Sequence, residues 1–233
     1  PETVEATLRT DYPYPAATQL PSKVTATQLK GRLLDAEAAE AADVRQARPA
    51  PVWRKPEFMQ SAPLRGREKG NATHLFMQFA RYEACTEQTG LEAELRRLVD
   101  ERFLTLRQAE AVDLGHILRL FASPLGRRIL AAQELRREFK FSILTDAADY
   151  FRGTEGEEVL LQGVVDCFWR EPEGLVVLDF KTDRITGNPA EKAARYAMQV
   201  RAYAAALTRI FDIPVRETIL YFFDCDQAVT LDP

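Results

Sequence analysis

From Arg67 onward the apolar positions recur at helical spacing, first Leu75, Phe76, Phe79 and Tyr82, then Leu91, Leu95, Leu98 and Val99. This spacing predicts two helices, and a third from about Leu106 to Phe121. Ser123 before Pro124 predicts the cap and first turn of a short fourth helix. At Leu135 the period changes to two. Phe139, Phe141 and Ile143 alternate with Glu138, Lys140 and Ser142, the pattern of a strand between two environments. Two further apolar runs, Val159 to Trp169 and Leu175 to Thr182, flank Glu171-Pro172-Glu173-Gly174. Proline at the second turn position and glycine at the fourth suit a type I turn, so the two runs are expected to form a hairpin. Pro189 opens an alanine-rich helix expected to reach about Ile210, and Thr218 to Phe223 reads as a final buried strand. The order predicts an α/β fold with a mixed sheet, starting near residue 64.

The segment before it is different. Eight of the 13 prolines lie in the first 63 residues, which rules out a continuous helix or a central strand there. Residues 1–63 are expected to form an extended arm that wraps or links, with one short helix after Thr25 leading into Leu29, Leu33 and Leu34. Asp35 to Gln46, rich in alanine and glutamate, reads as a solvated linker. The chain starts at Pro1, not Met, and is expected to be a domain cut from a longer protein.

Composition narrows the function classes. With 233 residues, 46% of them hydrophobic, the chain can bury a core without staples. No run approaches the roughly 18 apolar residues of a membrane span. Cys85, Cys167 and Cys225 are too few for a four-cysteine iron–sulfur cluster and form no CxxC pair, a pattern suited to the cytoplasm. No GxxxxGK[ST] loop is present, so no ATP site is expected. The net charge of −4 does not point to nucleic acid, although a local basic stripe on an acidic domain can bind it.

The hairpin carries the chemistry. Its strands contain Gly163-Val164-Val165-Asp166 and Leu178-Asp179-Phe180-Lys181. Centred on Pro172 and Glu173, the turn places Asp166 opposite Asp179 on one face, with Lys181 two residues on and therefore on the same face. A bulge at Gly174 would break that register. Facing carboxylates must take up a proton or share a cation, and a hard divalent ion such as Mg²⁺ or Mn²⁺ suits their oxygens. An adjacent lysine can orient an attacking water and neutralise a phosphate, which suits phosphodiester hydrolysis. On spacing alone, two edge charges that keep the hairpin soluble are the commoner reading.

Asp166 followed by Asp179-Phe180-Lys181 resembles the PD-(D/E)xK nuclease core, and more narrowly the RecB-type nuclease domain. Gly70-Asn71-Ala72-Thr73-His74 resembles that family's helical histidine motif, and Arg137-Glu138-Phe139-Lys140-Phe141 its glutamate strand, with Lys140 where proline is common. Tyr196, Gln199 and Tyr203 resemble the helix that follows the metal strands. The likeness extends to the nuclease domains of AddA-type helicase–nucleases, whose linking segment resembles Pro21 to Lys30. It implies a restriction-endonuclease-like core with a mixed sheet flanked by helices, and a Mg²⁺-dependent DNA exonuclease in which Mn²⁺ can substitute.

The resemblance also implies roles. Asp166, Asp179, His74 and the Phe180 carbonyl would hold the metal, and Lys181 would position water. Glu138 would either reach the metal through water or hold Lys181. Gln199 joins Asp166, Asp179 and Lys181 as a catalytic candidate. Tyr203, Arg195, Arg184 and Lys192 would face DNA, with Arg201, Arg65, Arg67 and Lys69 adding basic charge. Tyr196 is expected only to pack on the sheet, and His116 is expected to be structural. Implied partners are single strands from duplex ends, helicase domains of the same polypeptide and an AddB-type partner protein, with no membrane. A non-catalytic DNA-docking module that kept the fold, or a free-standing RecB-like exonuclease, are the alternatives.

Overall fold

A computed structural model describes Thr18, residues 20–29 and residues 66–233. The expectations for Leu33, Leu34, the linker at 35–46, Arg65 and the Arg67 side chain lie outside the described residues. Strand β1 (Lys23–Thr25) and a 3₁₀ turn (Ala26–Leu29) come first. Then follow α1 (Arg67–Phe79), a 3₁₀ turn (Tyr82–Thr86), α2 (Gln88–Asp100), α3 (Leu106–Ala109), α4 (Leu114–Ala122) and α5 (Pro124–Ala131). The C-terminal half holds β2 (Gln133–Asp146), β3 (Glu158–Glu171), β4 (Gly174–Lys181), α6 (Pro189–Ala194), α7 (Ala197–Phe211), β5 (Val215–Phe222) and β6 (Gln227–Leu231).

The strands make one mixed sheet of six in the order β1-β3-β4-β5-β6, with β2 also on β3. β1 pairs parallel to β3 at Leu160–Gln162, whereas β4 pairs antiparallel with it at Cys167–Glu171. Residues 23–29 are thus built into the domain: Val24, Ala26 and Leu29 are buried in its core. Between those two stretches, residues 163–166 of β3 have neither β1 nor β4 as ladder partner. That gap is where Asp166 stands.

Helices cover both faces. Phe76, Leu91, Leu98, Ile117 and Leu120 pack against Trp169, Val176, Leu178 and Phe180 on one face. On the other, Ala202, Tyr203 and Leu207 of α7 pack against Phe141, Val165, Phe168 and Val177. β4 is buried on both faces except at Lys181, so its sequence reads as a continuous apolar run interrupted by Asp179.

Three expectations about the elements are corrected. The helix expected over Leu106 to Phe121 is two, because Asp113 accepts hydrogen bonds from the Gly115 and His116 amides and starts a new helix. The helix expected from Pro189 to Ile210 breaks at Arg195 and Tyr196 into α6 and α7. Strands β1 and β6 add to the strands that the sequence predicts; both are short and lie at ends of the sheet. The Ser123 cap on α5 forms as expected, its hydroxyl accepting from the Gly126 amide.

Candidate active site

The hairpin keeps the register that its turn predicts. Glu171 pairs with Gly174, Trp169 with Val176 and Cys167 with Leu178, with no slip at Gly174. The ladder ends there, one pair short of Asp166 and Asp179, and the strands part. Asp166 Oδ2 instead accepts from the Phe180 amide at 2.8 Å. This ties the carboxylate to the next strand through a charge-assisted bond.

Side-chain alternation reverses at the same place. On β2, Phe139 and Ile143 belong to the α7-side core, yet Leu135 and Arg137, of the same parity, reach the α1 side. On β3, Val165 packs on the α7 side and Cys167 on the α1 side. The pivot is Glu138, with φ of +51° between the paired neighbours Arg137 and Phe139. A glutamate in the left-handed region costs about 1–3 kcal/mol and persists only where the surroundings hold it, as the ladder on both sides does here.

α1 brings the histidine. Arg137 clamps its C-terminal end by donating to the carbonyls of Met77 (3.1 Å) and Ala80 (2.6 Å), while lying over the Tyr82 ring. At its other end, a Cβ on Gly70 would lie 2.4 Å from Thr182 Oγ1, so glycine permits the helix to cross the end of β4 closely. His74 Nδ1 thereby reaches to 3.4 Å from Asp166 Oδ2. Gly70→Ala is expected to lower thermal stability in the native background through this clash. In a Thr182→Ala background the sign should reverse, by up to about 1 kcal/mol, because alanine is the better helix former; thermal melts of the four proteins check this.

His74, Glu138 and Asp166 each offer one ligand atom, all within 4.8 Å of one another. Glu138, which the sequence leaves at the edge of the site, is therefore a member of the cluster. Asp179 lies beside it, only 2% exposed. Lys181 Nζ stands 2.5 Å from Asp179 Oδ2, a close and nearly buried charge pair. A buried carboxylate beside three convergent ligand atoms makes a concentration of oxygen donors that fits a hard cation. The Phe180 carbonyl, expected as a ligand, stays a proposal; the atom bonded to Asp166 is the Phe180 amide.

The electrostatics agree with a site built for positive charge. Burial, more than the nearby Asp166 charge, pushes the Asp179 carboxyl up to about 6 even though Lys181 pulls it down. Burial and the Asp166 charge also raise Glu138. For His74, burial acts downward, but the Asp166 hydrogen bond and the charges of Asp166 and Asp179 together raise it. Each group shifts in the direction that takes up protons, which a bound cation would displace.

Lys181 is held on every side. It donates to Gln199 Oε1 at 3.2 Å, and Gln199 in turn donates to the Tyr203 hydroxyl at 2.7 Å. Its ammonium lies 4.1 Å from the centre of the Tyr196 ring. Tyr203, expected at the DNA face, is 2% exposed and packs edge-on to Phe141 over Gly163, so it supports Gln199 from within the core. Arg184 and Arg195 are exposed and Lys192 is half-buried, and none is in an ion pair among the described residues. Arg184 lines a 160 Å³ hollow with Lys69, Thr73 and Thr182 beside the cluster. His116 pairs with Asp226 at 2.7 Å on that hollow's wall. A 580 Å³ hollow around Arg128, Trp169 and Glu171 is at the turn end of the hairpin and shares no residue with the cluster.

A match to the PD-(D/E)XK nuclease superfamily runs over residues 28–229. The chain belongs to that superfamily. Its mixed sheet of six strands flanked by helices is the fold of that superfamily. It is 38% identical over 233 residues to the A subunit of the ATP-dependent helicase/nuclease of Geobacillus kaustophilus, and 33% identical over 232 residues to the proteins of the same name from Bacillus mycoides and Bacillus cereus strain Q1. Each match covers 95% of this chain and 19% of the relative, so the chain spans about a fifth of the length of these proteins.

Proposed function

We propose that this chain is the divalent-metal-dependent DNA nuclease domain of an AddA-type helicase–nuclease, hydrolysing single strands during double-strand-break processing for recombinational repair. The observation that carries this reading is the convergence of His74, Glu138 and Asp166 beside the buried Asp179–Lys181 pair. Asp166, Asp179 and His74 would hold Mg²⁺, with Mn²⁺ as a substitute; Glu138 and the Phe180 carbonyl complete the candidate donor set. A bound cation supplies Lewis acidity at the phosphoryl oxygen and lowers the pKa of water. Lys181 directs the attacking water and balances phosphate charge, and Gln199 fixes the lysine. Asp166 is aimed by the Phe180 amide.

Lys192, Arg195 and Arg184 contact phosphates, which positions a strand without reading its sequence. The segment before β1 joins the nuclease to helicase domains of the same polypeptide, and an AddB-type partner protein completes the complex. The likeness of this chain to one fifth of the helicase/nuclease A subunits supports both assignments. In this setting the motor delivers single strands. The isolated chain with Mg²⁺ should therefore degrade single-stranded oligonucleotides at least ten-fold faster than blunt duplex of the same sequence, and lose affinity steeply with salt. Equal rates on both substrates would contradict a strand-fed site. Tight metal-free binding with no cleavage under any condition would favour the docking module instead.

A further inference from the structure

Tyr196 is the residue that the sequence assigns to packing alone, and its surroundings give it more. It stands at the break between α6 and α7, where its backbone (φ −100°, ψ −3°) caps α7 without a side-chain capping bond. The break is what frees its ring from the helical row. The side chain is 2% exposed, packed edge-on to Phe222 and within the small core of Ala193, Val200 and Leu220. From there the ring face meets the Lys181 ammonium at 4.1 Å, and the hydroxyl donates to Asp183 Oδ2. Asp183 lies two residues past Lys181, so one side chain grips both the lysine and the chain that leaves it.

Lys181 needs such a grip. Its ammonium meets Asp179 at 2.5 Å and Gln199 at 3.2 Å, and these are its two polar partners among the described residues. A lysine stem has four rotatable bonds and loses rotamer freedom when it is fixed. An aromatic face attracts an ammonium without competing for its hydrogen bonds. The three donors of Lys181 thus stay available for Gln199, Asp179 and a substrate oxygen or water.

We propose that Tyr196 is a positioning residue for the nuclease reaction: its ring face is the floor that holds the Lys181 ammonium in line with the cleavage site. This rests on the nuclease reading above and adds a residue to it. The ring, not the hydroxyl, carries the role, so phenylalanine substitutes and leucine does not. The grip is present in the metal-free protein, where it can be read independently of activity.

The test uses the whole chain and three proteins: native, Tyr196→Phe and Tyr196→Leu. In the first measurement, NMR reads the ε-methylene protons of Lys181 without metal. A lysine over a ring face is shielded by the ring current, so the resonance should lie upfield in the native protein and in Tyr196→Phe, and move to the position of an exposed lysine in Tyr196→Leu. In the second, Mg²⁺-dependent cleavage of a single-stranded oligonucleotide should fall about ten-fold in kcat for Tyr196→Leu. KM should stay within about two-fold, and Tyr196→Phe should stay near native. An unshifted Lys181 resonance in the native protein overturns the proposal whatever the activity. Equal kcat for native and leucine proteins, a loss confined to KM, or a phenylalanine variant as slow as the leucine one overturns it too. Shielding as expected with no cleavage by the native chain would instead defeat the nuclease reading, leaving the contact intact but without that reaction to serve. Thermal melts accompany both, and a leucine variant that unfolds is replaced by Tyr196→Met.

Discussion

Lys181→Ala is expected to lower single-turnover DNA cleavage by at least about a thousand-fold while the folded chain still binds Mn²⁺. Its ammonium is the one cation in contact with Asp179 among the described residues, and its other partners, Gln199 and the Tyr196 ring, orient it without neutralising it. Charge stabilisation and water positioning are each worth about two to three orders of magnitude when removed from a preorganised site. Removing the lysine also removes the main downward pull on the Asp179 carboxyl, so the remaining activity should shift to higher pH. Lys181→Arg should recover little, because a larger, planar guanidinium cannot take the compact ammonium's place between Asp179 and Gln199. A Lys181→Ala protein with more than a tenth of native activity would remove the lysine from the mechanism. Quench-flow assays with end-labelled strands, beside Mn²⁺ titration, measure both quantities.

The second large effect is on stability, and its sign is opposite to ordinary acid denaturation. Asp179 has a folded pKa raised to about 6 by burial, and Glu138 and His74 are raised as well. Groups with raised values stabilise the fold below their unfolded pKa, and that stability is lost as pH rises through the folded value. Glu94 and Glu171 oppose this: burial acts upward on both, but hydrogen bonds to Arg97 and the Arg81 amide, and to Trp169 and Arg128, lower them. Their effect is lost as pH falls below the ordinary glutamate range, outside the window of the site. The metal-free chain should therefore gain on the order of 1–3 kcal/mol on going from pH 7.5 to 5.5. Asp179→Asn should remove most of that gain. Mg²⁺ or Mn²⁺ should reverse the slope, raising Tm more at pH 7.5 than at 5.5, because protons compete for the same oxygens. A flat profile in the native chain, or an equal metal effect at both pH values, would contradict the cluster. Calorimetric scans with and without metal decide it.

Much of the hairpin is legible in the sequence because short-range chemistry dictates it. Pro172 and Gly174 set the turn, the turn sets the register, and the register carries Asp166 and Asp179 to the same end of the strands. The Ser123 cap is legible for the same reason. The breaks at Asp113 and Tyr196 are not, since apolar positions continue in helical period across both, and one cap or one side chain with a tertiary partner overrides them. β1 joins the sheet through three residues after a proline-rich stretch, too few for any alternation to register.

At the site, residue identity is readable and placement is not. Nothing local marks Glu138 for a positive φ, because the reversal of alternation there is imposed jointly by β2 and β3. Tyr203 reads as a DNA contact from its helical row with Gln199, yet the absence of a side chain at Gly163 leaves room for its ring in the core. The support under Lys181 depends on a tyrosine 15 residues later and on a loop aspartate between them, a pairing that only the folded chain brings about.

The most direct test is release of label from an end-labelled single-stranded oligonucleotide by the native chain in Mg²⁺, beside Asp179→Ala and a native sample with EDTA. The account predicts degradation by the native chain alone, with both controls at background. Degradation that persists in Asp179→Ala would place the chemistry somewhere other than the hairpin and contradict the account.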